Sequence, residues 1–194
     1  MPLVMAMMAM TMLTGLGTVL IVGTMTETAL AATYRQGLEV FYAADGAVEF
    51  AVRDLAVRPD WDSVITGATT SAFVDGPPEG ERRLGAAVID LTRATDEVDT
   101  LLNGRAAPPD TAAQLFAYGR FDELLSIPDA PPSYAGVWVA ELVPDVEEVP
   151  AVRLLYVVAR AYGPTGGQRT VVVTVARPVD QDEPIQVRSW EEPR

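Results

Sequence analysis

The chain has 194 residues, 49% of them hydrophobic, with 27 acidic groups against 14 basic ones and neither His nor Cys. All 14 basic residues are Arg, and a net charge of −13 argues against nucleic-acid binding, which needs a clustered positive field. Without Cys and His there are no thiol nucleophiles, disulfides, imidazole acid–base groups or nitrogen- and sulfur-ligated metals, so carboxylate, hydroxyl and guanidinium remain, with hard cations such as calcium as the metals still open.

Charge and apolarity are unevenly spread. All seven Met residues lie within the first 25 positions, and the first charged side chain is Glu27. Residues 1–58 hold five acids and three Arg, whereas residues 59–194 hold 22 acids and 11 Arg. The expected organisation is an N-terminal helix over 1–58, with a membrane-crossing segment at about 3–25, joined to an acidic head over 59–194.

From Met1 to Thr26 nothing is charged, and about 20 mostly apolar residues suffice to cross roughly 30 Å of hydrocarbon as a helix. Thr11, Thr14 and Thr18 can return hydroxyl bonds to the preceding turn. Gly15, Gly17 and Gly23 each weaken the helix by about 1 kcal/mol relative to Ala in water. They read either as close-packing positions in lipid or as points where the segment can bend. The helical pattern then continues through Leu30, Tyr34, Leu38, Phe41, Val48, Val52 and Leu55, with Arg35, Glu39, Glu49 and Arg53 pointing elsewhere. Glu49 and Arg53 form an i,i+4 pair in the favourable order. The first firm stop is Arg58-Pro59, because proline disfavours helix at the residue before it.

A competing reading exists at Ala29-Leu30-Ala31 before Ala32, an A-x-A cleavage pattern that would release a soluble protein. The apolar stretch is longer than the 7–15 residues of a signal core, no basic n-region precedes it, and the amphipathic pattern crosses the cut. Asp45 lies on the apolar stripe itself, where a carboxylate is costly unless it meets water or a partner. It reads as a solvent-exposed stripe edge or as a bond to a neighbouring subunit's helix, and Glu27 at the membrane boundary carries the same two readings.

After Pro59 the chain is rich in Pro, Gly, Thr and Asp, and Asp75-Gly76-Pro77-Pro78-Glu79-Gly80 is a loop by composition. Val88, Leu91, Val98, Leu101 and Leu102 predict a strand end running into a helix that closes near Asn103-Gly104. After Pro108-Pro109, Asp110 or Thr111 is expected to open another helix through Leu125, stopped before Pro128. The C-terminal third predicts antiparallel sheet: Gly136 to Leu142, then Val152 to Ala161 and Arg169 to Arg177 across a glycine-rich loop, and Ile185 to Trp190 as an edge strand. Both faces of the 169–177 strand are apolar enough to need cover, and the stripe bearing Phe41, Val48 and Val52 is the natural cover for one of them, at about 1.5–3 kcal/mol per large side chain. The fold class is therefore α+β, with a long N-terminal helix packed on a C-terminal antiparallel sheet.

No catalytic constellation is visible and the chain is not expected to be an enzyme. Gly163 to Gly167 has no Lys and is not a P-loop. The acid clusters at Asp60 and Asp62, at Asp96, Glu97 and Asp99, at Asp145, Glu147 and Glu148, and at Asp180, Asp182 and Glu183 read first as solvated surface. A calcium site is the alternative, although the ligand run of an EF-hand is missing, and nothing fixes a carboxylate pair for glycoside hydrolysis. Neither a cofactor nor a metal is expected.

The residues of the first third resemble the N-terminal region of PilX-type minor pilins, within the type IV pilin and pseudopilin superfamily. The matching pieces follow the apolar start PLVMAMMAM: Thr26-Glu27-Thr28, Ala31-Ala32-Thr33-Tyr34-Arg35, and Tyr42-Ala43-Ala44-Asp45-Gly46-Ala47 followed by Glu49. More loosely, Gln114-Leu115-Phe116-Ala117-Tyr118-Gly119, Val137-Trp138-Val139-Ala140 and the hairpin from Ala159 to Arg177 look like the C-terminal parts of such proteins. The resemblance implies a single-pass protein of the bacterial inner membrane that is built into a pilus. Its helix would lie in the filament core and its head in the periplasm or outside the cell. Its partners would be membrane lipid first, then other pilin subunits and pilus assembly proteins. Glu27, Tyr34, Asp45 and Glu49 are the residues expected at subunit contacts. Pilin precursors usually begin with a short basic leader ending in Gly or Ala, which is not seen here. The Glu that many pilins carry a few residues beyond the cut has no counterpart among Val4, Met5 and Ala6. A secreted or anchored envelope binding protein without a filament, and a type II secretion pseudopilin, are the alternatives.

Overall fold

A computed structural model describes residues 2–58, 60–103, 105, 112–125, 130–142, 152–178 and 184–193. The chain divides into two compact units, Met1–Leu38 and Glu39–Arg194. Helix α1 runs Pro2–Ala56 and contributes to both. It ends two residues before Arg58-Pro59, close to the expected stop.

In the second unit the order is α2 (Asp62–Ile65), β1 (Glu81–Leu84), β2 (Ala87–Asp90), α3 (Leu91–Asn103), β3 (Gln114–Arg120), α4 (Phe121–Leu125), β4 (Tyr134–Leu142), β5 (Val152–Tyr162), β6 (Gln168–Pro178) and β7 (Gln186–Glu191). Strands β3-β4-β5-β6-β7 form one antiparallel sheet in that order, and β1 and β2 form a separate hairpin. This is the expected α+β architecture, with the sheet carried by the C-terminal half. The predicted strands at 136–142, 152–161 and 169–177 lie within β4, β5 and β6, and Ile185 to Trp190 yields the edge strand β7.

The sheet is covered on both faces, as its apolar content requires. Val137, Val139, Leu155, Val157, Ala159, Val171, Val173 and Val175 pack with Val40, Ala44, Ala47, Val48, Ala51 and Leu55 of α1. On the other face Trp138, Ala140, Tyr156, Val158 and Val172 pack with Ala94, Val98 and Leu102 of α3. The Trp138 indole N–H donates to Thr95 Oγ1 at 2.8 Å and fixes the α3 contact laterally. The α1 stripe differs from the predicted one. Val48 and Leu55 are fully buried, but Phe41 and Val52 lie half-buried at the margins and the centre of the seam is alanine. Small side chains bring the helix axis close to the sheet, whereas two large ones at the centre would hold it away.

One predicted helix is corrected. Residues 114–120 are strand β3, and only Phe121–Leu125 is helical; Asp110, Thr111 and Pro128, the residues expected to bound that helix, lie outside the described residues, as does Gly104, the expected cap of α3. Gln114, Leu115 and Ala117 are good helix formers in isolation, but Phe116, Ala117 and Tyr118 are buried, Ala117 and Tyr118 pair with β4 while Phe116 sits at a register shift, and tertiary burial outweighs local preference. The hairpin β1–β2 was expected only as a strand end near Val88. Its turn depends on Gly85 at φ +60°, where a Cβ would approach the Pro164 carbonyl oxygen to 2.9 Å. The neighbouring Ala86 N–H donates to that same oxygen at 2.9 Å, tying the hairpin to the β5–β6 loop.

Candidate functional site

From residue 2 to residue 26 the surface of the first unit is uncharged and largely apolar on every side. Leu3, Met5, Met12, Leu13, Leu20 and Met25 are each about two-thirds or more exposed, and the helix holds one window long and apolar enough to cross a membrane, with mean hydropathy 1.9 and none of it buried in the protein. Thr hydroxyls would oppose transfer into lipid, but they are satisfied within the helix. Thr11 donates to the Met8 carbonyl at 2.9 Å, Thr14 to Met10 at 2.8 Å, Thr18 to Thr14 at 2.9 Å and Thr24 to Leu20 at 2.9 Å. Each bond removes a desolvation cost that an unpaired hydroxyl would carry in hydrocarbon. Gly15, Gly17 and Gly23 have nothing within 4 Å of where a Cβ would sit, so no contact inside the chain requires them. Glu27 and Tyr34 lie farther along this unit, both exposed, Tyr34 at 71%.

Asp45 and Glu49 lie in the second unit, one helical turn apart on α1. Asp45 is half-buried, and partial burial, with the Glu49 charge beside it, pushes its carboxyl above the usual carboxylate range. Glu49 is exposed and stands at the rim of a groove of about 630 Å³ lined by Val52, Arg53, Ile185, Val187 and Trp190. The expected Glu49–Arg53 pair does not close. An i,i+4 bridge does form where the helix ends, between Asp54 and Arg58, at 3.0 Å. The fold thus brings Asp45 and Glu49 together and places Glu27 and Tyr34 in the other unit. Sequence reasoning passed over Tyr42, 64% exposed and edge-on to Phe41 at 5.7 Å, and the groove. Tyr42 was legible as the aromatic beside Ala43-Ala44-Asp45, whereas the groove required knowing that β7 returns beside α1.

Of the described residues in the acid clusters, Asp60, Asp62, Glu97 and Asp99 are committed locally. Asp60 accepts the backbone N–H of Asp62 at 3.0 Å, just ahead of α2. The Arg153 guanidinium beside Asp62, 2.6 Å away, holds that carboxyl below its ordinary range. Glu97 pairs with the buried Arg160, and Asp99 accepts the Ala113 N–H at 2.6 Å. Asp145, Glu147, Glu148, Asp180, Asp182 and Glu183 lie outside the described residues. Among the described residues no group of three acids is gathered that could hold a metal ion.

No curated protein and no solved structure matches the chain. Residues 1–49 match the family model described as PilX N-terminal. That stretch contains the apolar segment, Glu27, Tyr34, Asp45 and Glu49. Over this region the chain is similar to the N-terminal part of PilX-type pilins, and the matched stretch includes the helix segment that is long and apolar enough to cross a membrane.

Proposed function

We propose that the protein is a minor pilin-like subunit of type IV pilus assembly, held in the inner membrane by residues 3–25 and then transferred through the same helix into a filament. The observation that carries the reading is the joint character of α1. Its front part is apolar on all sides with satisfied hydroxyls, while Val40 to Leu55 belong to the head's core. A helix apolar all round needs lipid or other helices as its surroundings. Moving from one to the other keeps its burial roughly constant, and the unfilled space at Gly15, Gly17 and Gly23 allows close helix approach. The role is structural rather than enzymatic, with other pilin subunits and assembly proteins as partners, and Glu27, Tyr34, Asp45 and Glu49 supply polar contacts to them.

The test is mass spectrometry of sheared filaments and of inner membranes from the host. The reading expects the chain in both fractions, with an apolar mature end. A mature end at Ala32 and recovery only as a soluble protein would overturn it in favour of the secreted envelope protein. Recovery with type II secretion components, and never with pili, would move it to the pseudopilins.

A further inference from the structure

The five-stranded sheet has two outer edges, and both are blunted. Beyond β3, the Ser71 N–H donates to the Phe116 carbonyl at 2.8 Å, the Tyr118 N–H donates to the Phe73 carbonyl at 2.9 Å, and Val74 bridges to Tyr118. That segment occupies the edge. At the opposite side β7 is only six residues long and its register with β6 breaks between Thr174 and Val175. Thr174 faces Ser189 and Val175 faces Val187, so Arg188 is the extra residue of a bulge and is exposed. A bulge with a cation on an edge strand discourages further strand addition.

The weak seam lies one strand further in, between β6 and β7. Strand β5 pairs with β6 along all eleven residues of each, from Val152↔Pro178 to Tyr162↔Gln168. By contrast β7 pairs only from Val172↔Glu191 to Ala176↔Gln186, and its side chains are exposed except for a half-buried Ser189. What identifies β7 to its seat is polar. Arg105 at the end of α3 binds Glu191 at 2.8 Å, Arg169 at the start of β6 binds Glu192 at 3.3 Å, and the Ser189 hydroxyl donates to Thr174 Oγ1 at 2.9 Å. These are solvent-accessible contacts worth little each, and any strand ending in the same Ser-Trp-Glu-Glu can make them.

We propose that the β6 edge with Arg105 and Arg169 is a strand-receiving site, and that its second occupant is β7 of another copy of this chain, exchanged reciprocally. The occupant is fixed by complementarity. The two arginines match two adjacent glutamates near the C-terminus, and a second copy presents that pair in the same register. Reciprocal exchange repeats the existing seam and leaves both blunted edges outward, so it closes a pair rather than opening a fibre. Residues 179–185, which join β6 to β7, span at most roughly 25 Å fully extended, which limits exchange to copies lying side by side. Local crowding therefore decides the occupancy. The inference does not depend on the arm entering a filament.

The absence of Cys makes the test direct. One full-length population carries Thr174→Cys, the other Ser189→Cys with a mass tag, and the two are mixed in detergent and mildly oxidised. The proposal expects a mixed covalent dimer in about tenfold excess over either like–like dimer, since only an exchanged strand brings residue 189 of one copy onto residue 174 of the other. The double variant in a single chain must still close an internal disulfide, showing that the seat is formed. An internal bond in that chain together with no excess of the mixed dimer overturns the proposal. A charge-reversed pair, R105E/R169E in one population and E191R/E192R in the other, supplies a second arm. Each alone repels its own strand, and only the mixture should restore a one-to-one complex; failure to pair on mixing counts against exchange.

Discussion

Asp45 and Asp122 show how two carboxylates of one head meet opposite fates. Partial burial and the neighbouring Glu49 raise Asp45, so the folded state binds its proton more tightly than the unfolded chain does. Ionised Asp45 therefore opposes folding above its folded pKa, and that penalty fades as the pH falls through it. Asp45→Asn should raise the melting temperature at pH 7, with the gain shrinking in acid, read by circular dichroism melts across pH. Asp122 runs the other way. Burial disfavours its charge, but Arg120 at 2.5 Å and the Ser133 N–H at 3.2 Å outweigh it and lower the carboxyl. Its contribution is present above the ordinary carboxylate range and is lost as the pH falls through the depressed value, so Asp122→Asn should lower the neutral melting temperature. A residue kept at a cost to the head needs another use. Accordingly, Asp45→Ala is expected to leave membrane insertion intact while reducing co-purification with partner pilins; unchanged recovery of partners would remove Asp45 from the contact.

At the scale of elements, the close approach of α1 to its surroundings is set by small residues. A Cβ on Gly46 would meet Phe121 Cζ at 2.8 Å, and Phe121 is itself buried. Gly46→Leu should cost about 1–3 kcal/mol through overpacking, seen as a lower denaturation midpoint of the full chain in detergent. Leu55→Ala removes a side chain with no exposure and should cost about 2–5 kcal/mol by leaving a cavity. These elements were unequally legible. The β-branched runs of β5 and β6 announce themselves because both faces are buried, and α3 follows from its 3.6-residue apolar spacing. Strand β3 did not, since Gln-Leu-Phe-Ala favours helix until burial beside β4 decides otherwise. The α1 seam misled for a related reason: periodicity marks the large residues Phe41 and Val52, yet the sheet accepts Ala44, Ala47 and Ala51 at the centre. Of the expected contact residues, the Asp45–Glu49 neighbourhood follows from i,i+4 spacing, while the groove beside Glu49 depends on a strand more than 130 residues away in the chain.

Across the whole molecule, the chemistry of one helix separates anchoring from head stability. The head's principal core begins at Val40, and none of the large apolar side chains from Leu3 to Met25 is buried in the protein. A charge placed among the latter should therefore act on the environment of the arm and leave the head's folding equilibrium unchanged. Leu16 is near the middle of the apolar stretch, and Arg at the centre of a membrane helix costs about 2.5–3.5 kcal/mol of insertion free energy. Leu16→Arg is expected to lower the membrane-bound fraction in its host. It should also deplete the protein from sheared filaments more strongly, because a filament core offers no headgroup layer to which the guanidinium can reach. The melting transition of the head, followed through the near-ultraviolet signal of Trp61 and Trp138, both buried there, should not move. Loss of the head transition would mean that the arm stabilises the head after all. Full retention in filaments would mean that the arm does not enter an apolar core, and the pilin reading of its function would fail at the point on which it rests.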